Sequence, residues 1–209
     1  MYIYNNFIGV LLFVTTAFAQ QNSYTVVKPN EGQSVHVLPY PNAIYKIIVR
    51  GNETVNQFTI VEGIVYINEG AGNHYHMRED ETFFVINGTL QFYVNGDQFC
   101  AQAGTTVYIP RNASQSLRNL NTKPVHIQIL FAPSGIENYL EKITPVFHSQ
   151  SINFTQANEI AASYGVYNLS PVDWKDLNCF TNVSVHLKIS SYLIFIIIQF
   201  YIFINFLFE

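Results

Sequence analysis

The sequence predicts an all-β domain, an antiparallel sandwich or barrel, followed by short helices. Three observations predict it. Across residues 24–133 the chain is a succession of short β-branched and aromatic runs, such as "YKIIVRG", "NQFTIVEGIVYI" and "VHIQILF". Tight-turn dipeptides, among them two Asn-Gly pairs, punctuate those runs at regular spacing. Helix signals appear only after the strands, which argues against an alternating βαβ fold.

Taken in order, Asn87-Gly88 divides "TFFVI" from "TLQFYV", and Asn95-Gly96 divides that run from "DQFCAQ". Both residue types accept the positive φ of a type I′ turn, so each pair predicts a hairpin. Ala103-Gly104 turns into "TTVYIP", Pro110-Arg111-Asn112 into "SQSLRN", and Thr122-Lys123-Pro124 into the last run. Ser134 with Glu137 reads as a capping box that starts a helix through Lys142. A second helix is expected over 156–164 with Thr155 as its cap. Ser170-Pro171 reads as a third short helical turn.

The chain has 209 residues, enough for one well-cored domain. Its net charge is −4 with only 11% charged residues, and the basic residues are scattered, so nothing points to a nucleic-acid partner. The 14 Tyr and 17 Phe outnumber the charged residues, and much of that excess sits at the two ends.

Residues 1–19 read as a cleaved signal peptide. Phe7 to Phe13 is an apolar core, and Ala17-Phe18-Ala19 is a small-x-small pattern before Gln20, although no Lys or Arg precedes Phe7. The alternative is a buried N-terminal strand. Six N-x-S/T sequons agree with passage through the secretory pathway. Glycosylation is expected at Asn52, Asn153 and Asn168, whereas Asn87 and Asn112 lie close to the candidate site described next. In an oxidising compartment a Cys100–Cys179 disulfide is the simplest use of the two cysteines, with two buried thiols as the alternative. Residues 146–178 read as a helical extension and 179–191 as a linker. Residues 192–208 form an apolar run that would span roughly 25 Å as a helix, a little less than a hydrocarbon core. A membrane anchor, the removable tail of a lipid-anchor signal, and a misassigned reading frame past the true stop are the three readings. The expected location is extracellular, or tethered at the cell surface.

The chemistry concentrates in "GAGNHYHMREDETFFVING", residues 70–88. His74 and His76 stand at strand spacing and share a face, with Tyr75 on the opposite one. Glu81 follows the short turn "MRED", and a hairpin would return it beside the histidines. Two imidazoles and a carboxylate form a facial triad with open positions, which suits Fe(II) and similar ions. The competing reading is a solvated hairpin with surface histidines. Glu79 and Asp80 read as solvated charges in the turn. His126 and His36 are weaker ligand candidates, and Phe83, Ile86, Phe92, Val107 and Ile109 read as barrel lining or packing.

His74-x-His76-x4-Glu81-x6-Gly88 resembles the first motif of the cupin superfamily, usually written G-x5-H-x-H-x3,4-E-x6-G. Gly104-x5-Pro110-x-Asn112-x2-Gln115-x3-Asn119 resembles the second, G-x5-P-x-G-x2-H-x3-N. The wording over residues 24–145 is most similar to single-domain cupins related to quercetin dioxygenases. The resemblance implies a double-stranded β-helix, the jelly-roll barrel, and one divalent transition metal, Fe, Mn, Ni or Cu. It implies His74, His76 and Glu81 as ligands, with Glu81 also placed to accept a proton from a small hydroxylated substrate. A homodimer is compatible with it. The chain departs from the motifs at Asn68 and Asn112, where glycines are expected, and at Gln115, which replaces the fourth ligand, a histidine. Gln115 is then a weaker ligand, a group that orients water or substrate, or the mark of a cupin that binds a small molecule or sugar without metal.

Overall fold

A computed structural model describes residues 24–179, and every element below falls in the first of two compact units, which ends at Leu177. The proposed signal peptide, the apolar tail, Asn182 and all of the linker but its first residue lie outside the described residues.

Eleven strands form two antiparallel sheets. The first contains β1 (Gln33–His36), β2 (Ile44–Val49), β3 (Thr59–Val65), β5 (Asp80–Asn87), β8 (Thr106–Ile109) and β10 (Val125–Ala132), in the order β1-β2-β3-β10-β5-β8. The second contains β4 (Gly70–His76), β6 (Thr89–Val94), β7 (Asp97–Gln102), β9 (Gln115–Arg118) and β11 (Val166–Asn168), in the order β11-β4-β9-β6-β7. This is the jelly roll that the resemblance implies. Period-2 burial is clearest in β3, β5 and β10, whose alternate residues, Val61, Phe83, Val85, Ile127, Ile129 and Phe131 among them, are buried between the sheets.

The two Asn-Gly pairs behave differently. Asn95 and Gly96 have φ of 49° and 98° and close a true hairpin, with Val94 opposite Asp97. At Asn87-Gly88 only the glycine has positive φ, and the strands on either side belong to different sheets. The hairpin expected there is a crossing from one sheet to the other. Ile86, expected inside, is 48% exposed, because Glu81, Phe83 and Val85 take the inward phase of β5.

Two asparagines explain how the motif glycines were replaced. Asn68 and Asn112 have φ of 61° and 66°, the left-handed region that Asn tolerates best after glycine. Asn68 N–H donates to the Asn119 carbonyl, and Asn112 N–H donates to the His76 carbonyl. Asn119, fully buried, donates through Nδ2 to the Val65 and Lys123 carbonyls and accepts from Asn121 N–H. The second motif is thus tied to both ends of the strand that carries the histidines.

The helices are α1 (Ile136–Phe147) and α2 (Phe154–Ser163). The cap of α1 is Gly135, not Ser134, and no side chain bonds there as a cap. Glu137 turns inward, and its carboxylate accepts from Thr59 Oγ1 on β3 (2.5 Å), Gly51 N–H (2.9 Å) and the N–H of Gly135 at the cap itself (2.9 Å). The cap of α2 is Asn153, two residues before the expected Thr155, and its side-chain oxygen accepts from Gln156 N–H. Residues around Ser170-Pro171 are not helical; Asn73 Nδ2 donates to the Ser170 carbonyl and ties that segment to β4. Among the described residues no helix is long and apolar enough to cross a membrane, and neither cysteine is free.

Burial alone would raise the Glu137 carboxyl, but the hydrogen bonds from Thr59, Gly51 and Gly135 hold it below the ordinary range. Its stabilising contribution is therefore complete above about pH 4.3 and disappears as pH falls through its lower folded value. Glu137→Ala leaves three donors unpaired and is expected to cost about 2–4 kcal/mol. Denaturant unfolding checks both points: the variant should be less stable at pH 7, and its loss of stability in acid shallower than that of the parent.

Candidate metal centre

The histidine strand owes its geometry to a bulge. Ala71 pairs with Leu117 and His74 with Gln115, so β4 spends three residues where β9 spends two. That extra residue puts Ala71 and His74 on the same inward face despite their odd spacing. On the other side β11 places Asn168 opposite His74 and Val166 opposite His76. Gly70, at the start of the strand, has no room for a side chain: a Cβ there would meet the Leu117 carbonyl oxygen at 2.0 Å.

Glu81 reaches the histidines across the barrel, not along a hairpin. β4 pairs with β9 and β11, whereas β5 pairs with β10 and β8, where Glu81 sits between Phe131 and Ile109. Residues 77–79 carry the chain from one sheet to the other. The candidate ligand set therefore spans the interior, with imidazoles from one sheet and the carboxylate from the other.

One ligand atom from each of His74, His76 and Glu81 can be chosen so that all lie within 4.8 Å of one another. His76 Nε2 is 3.4 Å from Glu81 Oε1, close to the separation of roughly 3 Å expected of two atoms bound about 2.1 Å from one ion. The rings of His74 and His76 meet edge to face at 5.1 Å, and Phe131 lies 5.9 Å from His76. His74 Nδ1 is 2.8 Å from the Gly72 carbonyl oxygen. A carbonyl only accepts, so Nδ1 carries the proton and Nε2 keeps its lone pair for a cation.

Burial shapes the charges. Desolvation, helped by the neighbouring His76, lowers His74 to about 4, so it is neutral and ready to ligate at pH 7. Burial works the same way on His76, but the carboxylates of Glu81 and Glu79 outweigh it and raise its pKa. Desolvation raises Glu81, and His76 and the Gln115 amide only partly offset this. Glu81 Oε2, His76 Nδ1 and Glu79 Oε2 are buried with no hydrogen-bond partner. A carboxylate oxygen orphaned beside two imidazoles fits a cation, since buried acceptors are otherwise paired.

Gln115 is buried beside His74 and near enough to bond the Glu81 carboxylate. Glu79 departs from the sequence expectation: its side chain is 4% exposed, and Oε2 stands 3.6 Å from His76 Nδ1. Asp80, its neighbour, stays near the surface and binds Arg111 at 2.9 Å. Nothing in "RED" separates the two carboxylates; only the path of the turn sends one inward and one outward. His126 and His36 are elsewhere: His126 Nε2 contacts Glu62 at 2.6 Å, and His36 Nε2 contacts the Tyr40 carbonyl at 2.6 Å.

The three residues line a cavity of about 920 Å³ whose wall includes Tyr45, Phe83, Phe131, Tyr139, Trp174 and Glu69. Phe92, Val107 and Ile109 are buried packing residues beyond that wall. Burial, then the charges of Glu69 and Glu81, push the Tyr45 phenol well above its usual range, so it remains a neutral donor.

The cupin domain family matches residues 63–132, a stretch that contains His74, His76, Glu81 and Gln115. An uncharacterized protein from Aquifex aeolicus (strain VF5) is 32% identical over 87 residues, 42% of this chain and 69% of that one. A second uncharacterized protein, from Methanocaldococcus jannaschii, is 24% identical over 110 residues, 51% of this chain and 81% of that one. Among solved structures, KdgF from Halomonas sp. is 17% identical with a TM-score of 0.48, over 56% of this chain and 99% of that one. With the family match and the two-sheet architecture in agreement, the chain contains a cupin domain over residues 63–132.

Proposed function

We propose that this protein is a metal-dependent oxygenase of the quercetin dioxygenase type, acting on a small hydroxylated substrate. The observation that carries the reading is the convergence of His74, His76 and Glu81 on the wall of an aromatic-lined cavity. Two neutral nitrogens and one carboxylate oxygen suit a divalent transition ion, with Fe, Mn, Ni and Cu all acceptable to that donor set. A bound ion supplies Lewis acidity to an oxygen of substrate or dioxygen. Glu81, its basicity raised by burial, accepts the proton of a substrate hydroxyl. Gln115 steadies that carboxylate and presents a neutral amide to the incoming group. The aromatic wall of Tyr45, Phe83 and Phe131 excludes water and favours a flat, apolar substrate body.

Gln115 also favours a second reading, a cupin that binds a small molecule without turning it over, because the amide replaces the histidine that the family's second motif supplies. Metal analysis of the purified full chain separates the readings. The oxygenase reading expects about one equivalent of transition metal, nearly all of it lost in His74→Ala, together with oxygen uptake on flavonol-like substrates. Protein free of metal in both forms, or loaded protein that takes up no oxygen, favours the binding module. Gln115→His should tighten metal binding by about tenfold if that position ligates; competition with a chelator measures it, and unchanged affinity removes Gln115 from the ligand set.

We place the chain in the secretory pathway, with a Cys100–Cys179 disulfide and membrane attachment through residues 192–208 as parts of the same proposal. Asn52, Asn153 and Asn168 are all exposed, which supports their use as glycan acceptors. The Asn153 cap uses Oδ1 and leaves Nδ2, the atom a glycan takes. Expression in a eukaryotic host should yield protein that begins at Gln20 and loses mass on deglycosylation, with modification at those three sites by peptide mapping. An intact leader with no glycan removes this placement.

A further inference from the structure

We propose that Glu79 is a positioning residue: it holds the Nδ1 side of His76 so that Nε2 faces the cation, and it supplies a second buried negative charge. The inference rests on the metal reading of the site. His76 is bracketed by carboxylates. Nε2 is 3.4 Å from Glu81 Oε1 and Nδ1 is 3.6 Å from Glu79 Oε2, with His76 and Glu79 only 5% and 4% exposed. His76 Nδ1 and Glu79 Oε2 are both buried without a hydrogen bond, and they face one another. Their separation is roughly half an ångström beyond an ordinary N–H···O distance, so a small shift of either side chain pairs them. Two such atoms are costly to bury, and a fold that retains them side by side has a state in which they bond.

The charge count points the same way. His74 and His76 ligate as neutral imidazoles, Gln115 is a neutral amide, and Glu81 contributes one negative charge. A divalent ion on those residues alone leaves one positive charge uncompensated in a buried site, and Glu79 cancels it. Arg111, whose charge reaches Glu79, gives its own hydrogen bonds to Asp80 and leaves Glu79 free for the histidine. The two histidines thus differ in what stands behind them. His74 has a neutral carbonyl, that of Gly72, and His76 has a carboxylate. A carboxylate behind a ligating imidazole fixes its tautomer and makes the ligand nitrogen more basic.

That asymmetry supplies the test. Full-chain protein is loaded with Co²⁺, and the hyperfine-shifted, exchangeable Nδ1–H signals of the two histidines are followed by proton NMR. Affinity for Co²⁺ is measured in parallel for the parent, Glu79→Gln and Glu79→Leu. We expect Co²⁺ binding to weaken about tenfold in Glu79→Gln and up to about a hundredfold in Glu79→Leu. The His76 signal should exchange much faster in Glu79→Leu, while the His74 signal, held by Gly72, is unmoved. Unchanged affinity with both signals intact in the variants overturns the inference and leaves the metal reading standing. Should Glu79→Leu fail to fold, the parent alone decides: a His76 Nδ1–H that exchanges as quickly as a surface imidazole overturns it, and slow exchange supports it. A parent that binds no Co²⁺ overturns the metal reading and this inference with it.

Discussion

Imidazoles from one sheet meet a carboxylate from the other at a single point inside the barrel, and the rest of the molecule is arranged around that closure. Neither sheet carries a ligand set by itself. β4 brings His74 and His76 to the interior, and β5 brings Glu81 to face them from the other side. The site is therefore as rigid as the packing between the sheets. Phe83 on β5 and Phe92 on β6 meet across that space at 5.3 Å and keep the sheets in register beyond the ligands.

Close packing makes the electrostatics severe. Glu79 and Glu81 lie with His76 where each is about 95% removed from water or more. Desolvation of a carboxylate costs several kcal/mol unless a counter-charge offsets it. A site of this kind reads as one built for a cation, since a histidine and an amide only partly offset the burial of Glu81. Glu137, the other buried carboxylate to which several donors are directed, shows the contrast. Three protein groups satisfy it, and its acidity moves in the opposite direction.

The motif departures divide into two kinds on physical grounds. Asn68 and Asn112 replace glycines where the backbone is left-handed, and both keep the turn while their N–H groups continue to bind. Those changes preserve the fold. Gln115 replaces a side chain whose role is chemical, so the backbone is untouched and only the donor set changes. The bulge between Ala71 and His74 belongs to neither kind, because it depends on the pairing of β4 with β9 and leaves no mark in a single strand.

By itself the sequence determined the β character, the Asn95-Gly96 hairpin, the inward face shared by His74 and His76, and both cupin motifs. All of these rest on local periodicity, turn chemistry or short spacing, which a chain carries before it folds. Only the tertiary structure decided that Asn87-Gly88 crosses between sheets, that Glu81 approaches from across the barrel, and that Glu137 joins the start of its own helix to Thr59 and Gly51. It also decided that Glu79 turns inward and Ile86 outward. Strand partners lie far apart in sequence, and local pattern does not encode which sheet a strand joins. A one-residue change in the path of the turn after His76 would exchange the surroundings of Glu79 and Asp80, so their roles exist only once the two sheets have closed.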